Sequence, residues 1–92
     1  MNPSDNTPPE ILSFPCDFPI KVMGKACDGF AQAIAEIVLK HAPDFDPATM
    51  EMRVSGKGNY ISFTCTVFAV SRTQLDDLYR ELSGHEWVQI VL

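Results

Sequence analysis

An α+β sandwich of order βαββαβ is the fold this sequence predicts. It is a four-stranded antiparallel sheet, strand order 4-1-3-2, with two helices on one face. Three observations predict it. Two apolar stripes at helical spacing, Phe30 to His41 and Leu75 to Leu82, flank two runs that alternate with period two. The stretch Ser55-Gly56-Lys57-Gly58-Asn59-Tyr60 joins those runs as a hairpin. One further extended run lies before the first helix and another after the second. Right-handed crossovers then set the strand order.

The chain of 92 residues makes one domain. Residues 1–10 carry three prolines among Asn, Ser, Asp and Thr and read as a mobile tail, leaving residues 11–92 as the domain. Ile11, Leu12 and Phe14 offer the first apolar anchors, and Pro15 and Pro19 keep the chain extended. The first strand is expected at residues 20–24, with Ile20 and Val22 on one face and Lys21 and Met23 on the other. The first helix is expected at residues 28–41, buried along Phe30, Ile34, Ile37, Val38 and His41. Asp28 suits its positive end, Lys40 and His41 its negative end, and Pro43 stops it.

Residues 44–48 read as a loop, and residues 50–55 as the second strand. The third strand, from Tyr60 to about Val70, sends Ile61, Phe63, Cys65, Val67 and Ala69 one way and Tyr60, Ser62, Thr64, Thr66 and Phe68 the other. Ser71 and Gln74 form a capping box for the second helix, Leu75, Leu78, Tyr79 and Leu82 bury it, and Gly84 ends it. Residues 87–92 complete the sheet.

The net charge of −5, with seven Lys and Arg in all, argues against general nucleic-acid binding. No apolar run is long enough to span a membrane, and the start of the chain lacks signal-peptide character. Cys16, Cys27 and Cys65 are odd in number and unpaired in motif, which points to a reducing cytoplasm.

No catalytic constellation is legible. Gly56-Lys57-Gly58 lacks the spacing of a phosphate loop, and a strand follows it instead of a helix. Lys57, Gly58 and Asn59 therefore form a candidate turn site whose simplest reading is a solvated hairpin. Asn59 and Ile61 stand where an RNA-recognition strand carries aromatics. Cys27 precedes a helix, but Asp28 opposes a thiolate there. His41 and His85 lack ligand-spaced partners, and Asp44 with Asp46 is too short for a calcium loop. No cofactor and no metal is expected, and the chain reads as non-enzymatic.

Lys21-Val22-Met23-Gly24, His41-Ala42-Pro43, Ser55-Gly56-Lys57-Gly58-Asn59-Tyr60, Leu78-Tyr79-Arg80-Glu81-Leu82 and the terminal Val91-Leu92 resemble the YbeD-like family of small bacterial proteins. The likeness runs from about Phe14 to Leu92. It implies a ferredoxin-like fold similar to ACT regulatory domains, and a regulatory or binding role by analogy. It supplies no catalytic residues.

Two readings follow. In the first, the open face of the sheet binds a protein partner, with Met23, Tyr60, Phe68, Trp87 and Val91 as the candidate surface. In the second, an ACT-like sensor binds an amino acid or small carboxylate at Gly24, Lys25 and Asp28, beside a helix N-terminus. A homodimer is compatible with both. An RNA-binding domain of the same strand order is a remoter alternative.

Overall fold

The computed structural model describes residues 13–92; the predicted tail and the anchors Ile11 and Leu12 lie outside the described residues. The elements are β1 (Cys16–Lys25), α1 (Phe30–His41), a 3-10 turn (Pro47–Thr49), β2 (Glu51–Val54), β3 (Tyr60–Ala69), α2 (Arg72–Gly84) and β4 (Val88–Val91). The sheet order is β2-β3-β1-β4, which is the predicted order read from the other edge. All three strand pairs are antiparallel.

β1 begins four residues before its predicted start because Pro19 sits harmlessly inside it. Pro19 lies opposite Thr66 of β3. The neighbouring odd position, Lys21, exchanges backbone bonds with Leu92 on the β4 side, at 3.0 and 2.8 Å. By alternation Pro19 also faces the β4 side, beyond the end of that strand. Its missing N–H therefore costs no ladder bond.

α1 starts at Phe30, not at Asp28. Gly29 is its N-cap, left-handed at φ 84°, with no side chain capping the helix. A turn of that sign suits glycine. Asp28 thus precedes the helix and does not sit in its first turn. Phe30, Ile34, Ile37 and Val38 are buried as their spacing predicts, while His41 is half-buried. In α2, Ser71 Oγ accepts from the Gln74 N–H at 3.1 Å. The Gln74 side-chain oxygen Oε1 accepts from the N–H of Val70, at 2.6 Å, one residue earlier than a capping box requires.

The core lies between the helices and one sheet face. Ile20, Val22, Phe63, Cys65 and Val67 meet Phe30, Ile34, Val38, Leu78 and Leu82 there, all at most 1 % exposed. Phe30 and Phe63 touch edge to face with centroids 5.2 Å apart. Phe45, placed in a loop by the sequence, also joins this core at 5 % exposure. No described helix is long and apolar enough to cross a membrane.

Candidate functional site

Strand alternation and register decide what the uncovered face presents. The even residues of β1 point into the core, so Asp17, Pro19, Lys21, Met23 and Lys25 share the other face. Opposite them on β3 stand Phe68, Thr66, Thr64, Ser62 and Tyr60. β2 adds Glu51 beside Thr64 and Arg53 beside Ser62, and β4 adds Ile90 beside Met23.

Three apolar side chains gather at one end of this face. Met23 faces Ile90 on β4, and Tyr60 lies diagonal to Met23 on β3. Tyr60 is 49 % and Ile90 47 % exposed, and Met23 is half-buried. Phe68 is also exposed, but it lies eight residues along β3, on the order of 27 Å from Tyr60. It belongs to a different part of the face.

Trp87 and Val91 require correction. Val91 pairs with the buried Val22 and therefore points to the helix side. The Trp87 ring packs edge-on against Phe30 with centroids 5.9 Å apart. The register shifts between Met23 and Gly24, so β4 carries an extra residue between its pairs. Ile90, paired with Met23 ahead of that shift, is the residue β4 places on the open face.

The predicted ligand position at Gly24, Lys25 and Asp28 is filled by the chain itself. A Cβ on Gly24 would overlap the Trp87 carbonyl oxygen and lie 2.9 Å from the Phe30 ring. His85 stacks on Phe30 with ring planes 18° apart, and its Nδ1 accepts from the Trp87 N–H at 3.1 Å. Gly24 does permit close approach, and what approaches is β4. Lys25 lies on the open face opposite Tyr60, and Asp28 is exposed in the turn before α1. The three do not converge.

At the turn, the Ser55 N–H donates to the Tyr60 carbonyl at 2.9 Å and Ser55 Oγ accepts from the Tyr60 N–H at 3.2 Å. Gly58 adopts φ 75°, and Lys57 and Asn59 are exposed. The Asn59 carbonyl accepts from the Ala26 N–H, at 3.1 Å, tying the turn to the end of β1. Lys57, Gly58 and Asn59 thus close a hairpin.

Sequence reasoning missed two features of the open face. One is Ile90, hidden because β4 is apolar at nearly every position. The other is a polar trough of about 220 Å³ lined by Lys21, Glu51, Met52, Arg53, Ser62 and Thr64. Its signal was that Lys21, Arg53, Ser62 and Thr64 each stand on the polar side of their own strand's alternation. Elsewhere, Glu81 of α2 holds Lys40 and His41, at 2.8 and 2.7 Å. The Lys40 hydrogen bond first, and the His41 bond second, keep its carboxyl below the usual carboxylate range. No group of three metal-ligating side chains is assembled among the described residues.

Comparison with known proteins places this geometry. The model of a family described as a protein of unknown function, DUF493, matches residues 9–92. A UPF0250 protein of Bordetella pertussis is 57 % identical over 89 residues, covering 95 % of this chain and 98 % of that one. A UPF0250 protein of Nitrosomonas europaea is 51 % identical over 86 residues, covering 94 % and 99 %. Among solved structures, protein HP0495 from H. pylori superposes with a TM-score of 0.75 at 18 % identity, covering 100 % of this chain and 96 % of its own. The ACT domain from GTP pyrophosphokinase of Chlorobium tepidum gives 0.61 at 19 % identity, covering 84 % and 97 %. At these identities the two structures share the fold alone.

Proposed function

This chain belongs to the DUF493 family, the YbeD-like UPF0250 proteins, and on that premise we propose that it is a non-enzymatic regulatory module that binds an acidic protein segment on its open sheet face. The observation that carries this reading is the cluster of Met23, Tyr60 and Ile90. It offers an apolar anchor point on a face that no described element covers. Lys21 and Lys25 stand on the same strand face, two residues either side of Met23. Neither has an ion-pair partner among the described residues. On a chain of net charge −5, this local positive charge favours carboxylates around an apolar side chain.

The test is site-specific photo-cross-linking in living cells, with the reactive residue at position 90 and, as control, at position 68. A discrete adduct at 90, absent at 68 and lost on Lys21→Glu or Lys25→Glu, supports the reading. Equal adducts at both positions, or indifference to the charge reversals, would sink it. Adducts that are RNA instead of protein would favour the remoter RNA-binding alternative.

A small carboxylate ligand is the second reading. The fold shared with the ACT domain of GTP pyrophosphokinase supports it. With the Gly24 position filled, the trough provides the better place, since Lys21 and Arg53 stand beside the hydroxyls of Ser62 and Thr64. Amide shifts at these residues on titration with amino acids and small organic acids would favour it. A flat titration at millimolar concentration would count against it.

A further inference from the structure

We propose that the free edge of β2 pairs with the same edge of a second copy, antiparallel and centred on Met52, to make one continuous eight-stranded sheet from two four-stranded ones. This inference concerns the edge of the sheet and stands apart from the open-face reading.

β2 is an edge strand exposed at every position. On the helix side of the sheet, Met52 and Val54 remain 60 % and 49 % exposed. The backbone directions follow from the hairpin. The Ser55 N–H bonds to the Tyr60 carbonyl, so alternation aims the polar groups of Arg53 and Glu51 inward at β3. The N–H and C=O of Met52 and Val54 then point outward, with no partner among the described residues. Such an edge is a template for another strand.

Charge selects both the occupant and the register. In a two-fold antiparallel pair whose sheets share faces, each residue meets one of the same parity. Centring on Glu51 or on Arg53 would place like charges face to face. Centring on Met52 sets Glu51 against Arg53 of the second copy, and Arg53 against its Glu51. On the other side Met52 meets Met52, and Val54 meets Met50. Neither Glu51 nor Arg53 has an ion-pair partner among the described residues. The backbone fits as well. Met52 exchanges two bonds with its counterpart, and the Val54 N–H reaches the carbonyl of Met50, whose own N–H is already given to Pro47 at 3.1 Å. Four residues of edge bury much less than the ~1,200–2,000 Å² of a standard interface, so association depends on concentration.

The test is charge reversal followed by sedimentation at low ionic strength, with the chain taken from micromolar to millimolar concentration. Wild type should associate as concentration rises. Glu51→Arg and Arg53→Glu should each weaken self-association about tenfold. Their equimolar mixture should associate again, because every cross-strand pair is then of opposite sign. Amide spectra check that each variant folds, and Met52→Glu at the centre supplies an independent disruption. A monomeric wild type at millimolar concentration overturns the proposal. So do single reversals that associate like wild type, or a mixture that stays monomeric.

Discussion

Nε2 of His41 stands 2.7 Å from Oε1 of Glu81, forty positions away along the chain. Oε2 of the same carboxylate accepts from Lys40 at 2.8 Å. One acid on α2 therefore holds the last two residues of α1, where the helix dipole is negative and cations are favoured. The Gln74 side-chain amide donates to the His41 carbonyl at 2.9 Å, satisfying one of the carbonyls a helix end leaves without a partner. The two helices are joined here by polar contacts and elsewhere by the core.

This clamp should respond to acid. The Glu81 carboxyl titrates below its ordinary value of 4.5 in the folded chain, chiefly through the Lys40 bond and then the His41 bond. A depressed folded pKa contributes stability above the unfolded pKa, and that contribution is lost as pH falls through the folded value. Glu81→Gln should therefore lower Tm at neutral pH by a small amount. The gap to wild type should narrow as pH falls below the ordinary carboxylate range and close once it has passed the folded value, below which both chains carry a neutral side chain. Thermal melts across an acid pH series make the comparison. A gap of constant size would show that the carboxylate's charge contributes nothing.

Gly24 is the position where one added methyl should cost most. Ala at 24 would drive its Cβ into the backbone oxygen of Trp87 and against the Phe30 ring. The oxygen cannot rotate away as a side chain would, so β4 has to move. Gly24→Ala should destabilise by about 3 kcal/mol, read as a lower urea midpoint. Gly56→Ala, with nothing within 4 Å of the new methyl, should shift it by less than about 0.5 kcal/mol. Similar midpoints for the two variants would refute the packing role of Gly24.

The contrast between β3 and β4 explains how much could be read in advance. Ile61 to Ala69 alternate strictly with polar or exposed residues, so period two fixed their faces and they are largely buried as expected. Trp87-Val88-Gln89-Ile90-Val91-Leu92 is apolar at five of six positions, so alternation could not choose a face. The register decides it: Val91 pairs with the buried Val22 and Ile90 with Met23. That is why Ile90 replaces Val91 in the candidate surface, while Trp87, just before β4 begins, packs against Phe30. Asp28 was misplaced for a similar reason. Acidic residues favour helix starts, but the left-handed turn at Gly29 moved the start two residues on. Met23 and Tyr60 were legible because β1 and β3 share one unbroken register.

The three thiols should separate by reactivity. Cys65 lies between Phe63 and Val67 on the core face of β3 and is 0 % exposed. Burial pushes its pKa up to about 11, and thiolate is the attacking species, so at pH 8 it is both inaccessible and protonated. Cys16 and Cys27 are partly exposed. Native protein treated with Ellman's reagent should release a fast signal from those two at most. The Cys65 signal should appear only when the core opens, at a rate that rises with denaturant as unfolding does. Reaction of all three thiols at one common rate in the native protein would mean that Cys65 is not sealed in the core. It would also remove the strongest support for reading the odd face of β3 as the buried one.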